Sequence, residues 1–265
     1  MSNNHLILRV NNIGKTYFAH SAPPVEAIAN ISFEMNRGEF VSIVGPSGCG
    51  KTTILKIISG LIMPTCGTID ILDFQSEVAP DIMLVFQEYN RSLFQWRTVF
   101  RNVTFGLEDT KLSSKAIREK AFKYLKIVSL DDFAFRYPWE LSGGMQQRTA
   151  IARALVCEPQ ILLMDEPFGS LDALSRSILE DDLLRLQREL NLTILFVTHD
   201  IDEAIYLADN VIVLSKRPSI IERNIKINIH RPRHQIETKN SPAFGEYRLE
   251  ISKLIGRGEY AKNYS

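Results

Sequence analysis

The chain has 265 residues, of which 45% are hydrophobic and 23% charged, a composition typical of a soluble globular protein with a sizeable core. Its formal net charge is zero, which argues against nucleic acid as a partner, and its three cysteines have neither the number nor the spacing of a disulfide framework or a zinc site. No apolar run exceeds the length of a strand and the N-terminus lacks a signal-peptide core, so we expect a chain that does not itself cross a membrane.

The first predicted elements are strands over residues 6–10 and 31–35, where apolar and polar residues nearly alternate. Turn signals at residues 11–12 and 23–24 separate them. Tyr17 then falls in a loop, where its ring could stack on an adenine face or pack against the sheet as a strand-end tyrosine.

A glycine-rich loop follows the apolar strand predicted over residues 40–44 and precedes a helix that stops at Gly60. It matches the phosphate-binding pattern G-x-x-x-x-G-K-[ST], in which glycines let the backbone curl round a polyphosphate and the helix start faces the anion. We expect Lys51 to reach the terminal phosphates and the Thr52 hydroxyl to bind a magnesium ion. The loop consists of Gly45, Pro46, Ser47, Gly48, Cys49, Gly50, Lys51, Thr52 and Thr53.

The next predicted strand covers residues 82–86 and ends at Gln87, an amide placed where open α/β sheets bind ligands. From residue 97 to residue 138 the pattern becomes helical, with one helix predicted over residues 116–129. No flexible linker flanks this block, so we interpret it as a helical subdomain inserted between two strand-rich parts of one sheet.

A second glycine-rich helix start is found in Leu141-Ser142-Gly143-Gly144-Met145-Gln146-Gln147-Arg148. Ser142 is a good N-cap, and the helix stops before Pro159. Gly143 and Gly144 each weaken the first turn by roughly 1 kcal/mol relative to alanine. A second phosphate-binding helix start would explain them, because it needs a close approach to the backbone.

Two adjacent acids, Asp165 and Glu166, follow the buried strand predicted over residues 161–164. Because unpaired charge is costly to bury, we expect Asp165 to bind magnesium, directly or through water, and Glu166 to orient or deprotonate a water. A structural pair of capping acids is the alternative. His199 follows a further strand, predicted over residues 193–198, and could touch a terminal phosphate or have a structural role.

The remaining predicted elements are helices over residues 173–190, 201–209 and 244–254 and strands over residues 210–214 and 220–229. From Lys216 onward the chain contains 11 Lys and Arg against 5 Asp and Glu, a net charge of +6. This basic region could meet anionic lipid headgroups or an acidic partner, but we interpret it as a solvated charged appendage.

Together these motifs resemble the ATP-binding subunits of ATP-binding-cassette (ABC) transporters. The motifs that match that family in order and approximate spacing are the phosphate loop, Gln87, the signature segment 141–148, the acid pair, Ser170-Leu171-Asp172 and His199. The resemblance covers residues 6 to about 230.

The resemblance implies an α/β fold, with a P-loop NTPase (RecA-like) core, an antiparallel β subdomain and an inserted α-helical signature subdomain. The ABC ATPase domain would span residues 1–230, with its core in residues 1–87 and 159–230 and the helical insert at about 88–158. Residues 231–265 would form a short basic appendage, partly helical.

The resemblance also implies two copies that pack head to tail, so that the phosphate loop of one and the signature of the other enclose each ATP. Glu166 would polarise the attacking water, His199 would steady the γ-phosphate, and Tyr17 would contact the adenine. Phosphate and Mg²⁺ would be held by Lys51, Thr52, Gln87 and Asp165, and the remaining nucleotide contacts would come from Ser142, Gly143, Gly144, Gln147 and Asp172.

Further partners implied by the resemblance are transmembrane permease subunits and, indirectly, an extracytoplasmic solute-binding protein, which would place the chain peripherally on the cytoplasmic face of the membrane. Residues 138–140, 165–172 and 197–204 resemble importers of nitrate, sulfonate and taurine. Gln95-Trp96 stands where Pro-Trp is expected, in the segment that should face the permease. The alternative, a soluble cassette ATPase of cell division or nucleic-acid metabolism, is disfavoured by the single cassette and by the lack of a long coiled coil.

Cys49 lies inside the phosphate loop, just before the helix. We expect it to react with thiol-alkylating reagents, because a helix N-terminus lowers the pKa of a thiol. A buried, inert cysteine is the alternative.

Overall fold

The computed structural model describes residues 6–19, 22–72 and 82–260. The chain forms two compact units: unit 1 comprises Met1–Asp73 and Asn191–Ser265, and unit 2 comprises Phe74–Leu190. In the described part of the chain, no helix is both long and apolar enough to span a bilayer.

Unit 1 is built on a mixed sheet. Its strands are β1 (Leu6–Ala19), β2 (Ala22–Asn36), β3 (Phe40–Val44), β4 (Cys66–Ile71), β7 (Thr193–Val197), β8 (Asn210–Leu214) and β9 (Ser219–Lys226). Within the unit the spatial order is β4-β1-β2-β9-β8-β3-β7. Strands β4, β1 and β2 pair antiparallel, whereas β8, β3 and β7 pair parallel. The unit therefore combines an antiparallel part with a parallel part that carries the phosphate loop.

The first two strands are longer than the sequence predicts. The turn signals at residues 11–12 and 23–24 lie inside β1 and β2, and Tyr17 lies in β1, so its predicted loop position is wrong. At residues 11–12 the ladder accommodates one extra residue of β1 in a register shift between Val10 and Ile13. The two prolines of β2 precede its pairing with β9, which begins at Ile28, so their missing N–H groups leave no ladder bond unmade on that side.

The parallel strands of unit 1 form its core. Every residue of β3 and of β7 is buried, as expected for strands covered on both faces. The helices of this unit are α1 (Lys51–Ile58), α7 (Ile201–Leu207), α8 (Gln235–Lys239) and α9 (Pro242–Tyr260). Helix α7 packs on β3 and on α9, so the C-terminal helix belongs to the folded body of the unit.

The basic C-terminal region is more than the solvated appendage that we expected. Arg231 and Arg233 donate to α7 and to the residues that follow it, and Arg248 pairs with Asp202. Arg233 is only 6% exposed. Burial, followed by repulsion from Arg231, lowers the pKa of Arg233 to about 10, so the side chain remains charged at neutral pH.

Unit 2 joins two parallel strands to a set of helices. Strands β5 (Ile82–Val85) and β6 (Ile161–Asp165) pair in register, with Val85 opposite Met164. The helices are α2 (Tyr89–Ser92), α3 (Val99–Val103), α4 (Ser114–Ile127), α5 (Gly143–Leu155) and α6 (Ala173–Leu190). Helices α2, α3 and α4 all contact α5, so the signature helix is the centre of this bundle.

One buried side chain fixes the surface loop of residues 94–98. Asn102 accepts a hydrogen bond from the Phe94 N–H and donates through Nδ2 to the carbonyls of Phe94, Arg97 and Thr98. Because all of these partners are backbone groups, the backbone conformation of the loop does not depend on its exposed side chains. Trp96, in the Gln95-Trp96 pair, is left 72% exposed.

Candidate functional site

The phosphate loop has the geometry that its sequence predicts. It joins β3 to α1. Gly48 and Gly50 adopt backbone φ angles of +73° and +103°, which residues other than glycine rarely adopt. Lys51 is buried, and its Nζ donates to the carbonyls of Gly45 and Pro46, 2.9 and 3.3 Å away. The ammonium group is therefore held over the loop, while the Thr52 side chain at the start of α1 is exposed.

Tyr17 lies beside this loop although the two are far apart in sequence. Its hydroxyl is 3.3 Å from the hydroxyl of Thr53 in the first turn of α1, and Lys15 Nζ lies 5.2 Å from the ring centroid. The ring is 43% exposed. An aromatic face is thus available to a base next to the loop that would hold its phosphates.

Cys49 does not have the reactive character expected from its position before a helix. Its side chain is 1% exposed. Burial raises the pKa of the thiol, and the opposing effects of the Lys51 charge and of hydrogen bonds from the Lys51 and Cys49 N–H groups are smaller. The premise that this cysteine has a low pKa is therefore wrong.

The candidate catalytic acid lies in unit 2, at the end of β6. Asp165 is the buried last residue of that strand, and the next residue, Glu166, has a φ of +42°. A non-glycine residue in the left-handed region stores about 1–3 kcal/mol of strain, which is common at functional sites. Gln87 follows the neighbouring strand β5, and its Nε2 is 3.4 Å from Glu166 Oε2. The structure thus brings Gln87 and Glu166 within hydrogen-bond distance of each other.

The signature segment presents a glycine-rich helix start to solvent. Ser142 caps α5 by accepting a hydrogen bond from the Met145 N–H, and Ser142 and Gly143 are exposed. A Cβ atom added to Gly144 would meet no atom within 4 Å. Gln147 differs, because its side chain is fully buried one turn further into the helix, where a ligand at the helix start does not reach it.

The two remaining predicted residues are exposed. Asp172 accepts a hydrogen bond from the Ser175 N–H at the start of α6, and hydrogen bonds from Ser175 lower the pKa of its carboxyl. His199 stands between β7 and α7. Both side chains are therefore placed at helix starts, where they can reach a neighbouring molecule.

A hydrogen-bonded set of residues on both sides of His199 was missed by the sequence prediction. Thr198 donates through Oγ1 to Glu203 Oε2 at 2.6 Å and accepts a hydrogen bond from the Asp200 N–H at 3.0 Å. Asp200 caps α7 by accepting from the N–H groups of Asp202 and Glu203. The available signal was the D-x-x-E spacing of Asp200 and Glu203, which is typical of a capped helix start.

The chain is similar to known ABC proteins over most of its length. A family model described as ABC transporter matches residues 28–169. The chain is 46% identical over 250 residues to an uncharacterized ABC transporter ATP-binding protein of Methanocaldococcus jannaschii, covering 94% of this chain and 91% of that protein. It is 41% identical over 255 residues to the aliphatic sulfonates import ATP-binding protein of Bacillus cereus (96% and 97%), and 45% identical over 238 residues to the nitrate import ATP-binding protein of Synechocystis (87% and 88%).

Two solved structures of ABC proteins have a fold similar to that of this chain. The ATP-binding cassette MJ0796, a dimer in a post-hydrolysis state bound to ADP and Pi, superposes with a TM-score of 0.72 at 34% identity, covering 84% of this chain and all of that one. CbiO1 of Clostridium perfringens, part of an ABC transporter complex, gives a TM-score of 0.75 at 28% identity and coverage of 97% and 99%.

These similarities confirm the predicted P-loop NTPase fold and agree with the motifs described above. The chain belongs to the ABC transporter family, in which it is an ATP-hydrolysing, nucleotide-binding subunit.

Proposed function

We propose that two copies of this subunit bind ATP and Mg²⁺ between them and drive the uptake of a small anion through a permease. The observation that carries the two-copy arrangement is the exposed start of α5. Gly144 has no positive φ in the structure and no neighbour within 4 Å of an added Cβ, so neither the fold nor the packing of this chain requires a glycine there. A phosphate from another molecule, approaching the backbone closely, does require one.

We assign the chemistry of the nucleotide site to the predicted residues described above. Lys51 would transfer its hydrogen bonds from the loop carbonyls to the terminal phosphates, and Tyr17 would stack on the base. Glu166 would orient and deprotonate the attacking water, and Gln87, within hydrogen-bond reach of that carboxylate, would help to hold it. His199 would donate to the γ-phosphate, where negative charge is concentrated during transfer.

The predicted magnesium ligands suit that ion. Thr52, Gln87 and Asp165 offer a hydroxyl, an amide oxygen and a carboxylate, all of them hard oxygen donors. No cluster of three or more His, Cys, Asp or Glu side chains suited to a metal occurs among the described residues. Such a cluster is not needed, because Mg²⁺ usually keeps several waters and takes one or two protein carboxylates together with substrate phosphates, whose charge it then neutralises.

The proposed cargo and partners come from the related proteins. Curated relatives are named as import proteins for aliphatic sulfonates and for nitrate, both small anions, which is the substrate class that we propose here. One structural neighbour is part of an assembled transporter complex, which supports a permease partner, and we extend this to an extracytoplasmic solute-binding protein that delivers the anion. We also propose that residues 1–230 form the ATPase domain and that residues 231–265 form a short basic extension, which here packs on α7 of the same unit.

The decisive test is Glu166→Gln, which keeps the size of the side chain and removes the base. We expect ATP to bind with unchanged affinity, steady-state phosphate release to fall by roughly 10²–10⁴-fold, and an ATP-dependent dimer to accumulate. Light scattering with and without ATP measures the dimer, and nucleotide binding is measured separately.

The matched control is Glu158→Gln, the same substitution in the same unit at another acid with positive φ (+52°). Its amide can still accept the hydrogen bond from Tyr124, so hydrolysis should stay within about twofold of the wild-type rate. Unchanged hydrolysis in Glu166→Gln would remove this residue from the catalytic role, and a failure to form any dimer with ATP would contradict the two-copy site.

A further inference from the structure

The C-terminal segment holds both ends of α7, the helix that begins two residues after His199. At the far end, Arg233 donates through Nη1 to the carbonyls of Ile205, Tyr206 and Ala208 at 3.0, 2.8 and 2.9 Å. Carbonyls in the last turn of a helix lack intrahelical donors, so a buried guanidinium is an effective cap for them.

A second arginine completes this end. Arg231 donates through Nη2 to the Leu207 carbonyl at 2.8 Å and, through Nη2 and Nε, to Asp209 Oδ1 at 2.8 and 3.1 Å. In return, the Tyr206 hydroxyl donates to the Arg233 carbonyl at 3.2 Å. Thus α7 donates a hydrogen bond to the C-terminal segment, and the C-terminal segment donates hydrogen bonds to α7.

The near end of α7 is held from α9. Arg248 donates through Nε and Nη2 to the two carboxylate oxygens of Asp202, both at 2.6 Å. The pair is partly exposed and contributes little to stability by itself, but two parallel hydrogen bonds fix an orientation.

This end is in turn bonded to both neighbours of His199. Asp200 accepts from the N–H groups of Asp202 and Glu203, and Glu203 accepts from the Thr198 hydroxyl. A displacement of the first turn of α7 would therefore move the backbone on each side of the histidine.

We propose that Arg231, Arg233 and Arg248 are positioning residues for His199: by holding α7 at both ends, they set where the imidazole meets the γ-phosphate. This inference rests on the proposed role of His199. The inference also assigns the basic C-terminal region a structural role within unit 1. Misplacing a catalytic group by about 1 Å can cost up to 10²-fold in rate, so small movements of α7 are sufficient.

The test measures ATP turnover in Arg248→Ala and in Arg233→Lys. We expect kcat to fall by roughly threefold and tenfold respectively with KM for ATP nearly unchanged, because the nucleotide contacts themselves remain. Arg248→Lys, which keeps the charge but loses the two-point bond, should lie between Arg248→Ala and wild type. Arg223→Ala, which removes an exposed arginine of β9, is the matched control and should behave as wild type.

Two further measurements separate positioning from simple stabilisation. Hydrogen exchange of the amides of residues 199–204 should accelerate in Arg248→Ala and not in Arg223→Ala. The same arginine substitutions are then made on a His199→Ala background and assayed by single-turnover hydrolysis with excess enzyme. If the arginines act through His199, they should have almost no further effect there.

The outcomes are distinct. If Arg248→Ala slows hydrolysis by the same factor with and without His199, or if exchange at residues 199–204 is unchanged, the positioning role is wrong while the proposed role of His199 stands. Wild-type turnover in His199→Ala would overturn the role of His199 and this inference with it. Should Arg233→Lys fail to fold, the Arg248 series decides alone, since its partner is partly exposed.

Discussion

Cys49 shows how strongly a residue's chemistry depends on what surrounds it. Its position before α1 predicts a reactive thiolate, since the helix start and Lys51 both favour the charged form. The structure buries the side chain so completely that the cost of desolvating a thiolate exceeds both effects, and the pKa is raised. A Cβ atom added to Gly45 would lie 3.0 Å from its sulfur, so the thiol also fills the space beneath the loop.

We therefore expect Cys49 to resist alkylation in the folded protein. At neutral pH, iodoacetamide should modify the exposed Cys66 first and leave Cys49 largely unmodified, because both access and thiolate fraction are low. Mass spectrometry of tryptic peptides against time measures this. All three cysteines should react in denaturant, which serves as the control, and native labelling of Cys49 as fast as that of Cys66 would contradict the assignment.

At the scale of secondary structure, helices α5 and α6 are linked by a charged cluster. Arg148, the last residue of the signature segment, donates through Nη2 to Asp182 Oδ2 at 2.8 Å. Arg185 donates to the other oxygen of Asp182 at 3.0 Å and to the Ile127 carbonyl at 3.3 Å. The signature helix is thus bonded to the helix that follows Asp172, so two predicted nucleotide-contacting segments share one support.

Removing the centre of this cluster should destabilise unit 2. We expect Asp182→Ala to lower the free energy of unfolding by about 1–3 kcal/mol, because two part-buried arginines lose a charged acceptor. Urea denaturation followed by circular dichroism measures it. Asp132→Ala, at an exposed aspartate of the same unit, should change stability by less than about 0.5 kcal/mol. Equal effects of the two substitutions would show that the cluster contributes nothing specific.

At the scale of the whole molecule, the loop of residues 94–98 is a surface that combines a fixed backbone with an exposed aromatic side chain. Asn102 holds its backbone, and Trp96 projects from it while Arg97 lies over the rings of Phe94 and Phe105. A rigid loop with an exposed aromatic side chain binds a partner at low entropic cost. This is the segment that, from the resemblance to the family, we expect to face the permease.

We expect Trp96→Ala to weaken the assembled transporter without affecting the isolated ATPase. Recovery of the permease with the tagged subunit should fall at least about tenfold, since an anchoring tryptophan is commonly worth more than 1.4 kcal/mol. Co-purification from detergent-solubilised membranes gives the readout. Trp139→Ala, the loss of the other exposed tryptophan, is the control. Full recovery of the permease with Trp96→Ala would place the contact elsewhere, and recovery of nucleic acid in place of a permease would contradict the transport function.

Elements and motifs whose signals are local could be predicted from the amino-acid sequence. Helix α6 and strand β8 begin and end at the residues that their apolar patterns predict, and Ser142 caps α5, because periodicity and capping depend on residues a few positions apart. The phosphate loop and the family likewise followed from short motifs and their order.

Features that depend on distant partners could be seen only in the folded chain. The length of β1 and β2 is set by their pairing with each other, the contact of Tyr17 with Thr53 joins residues far apart in the chain, and the pKa of Cys49 is set by burial. The basic C-terminal region is the clearest case, since a count of charges cannot show that Arg231, Arg233 and Arg248 are bonded to one short helix. Charge is a property of the residue, but burial and hydrogen-bond partners exist only once the chain has folded around it.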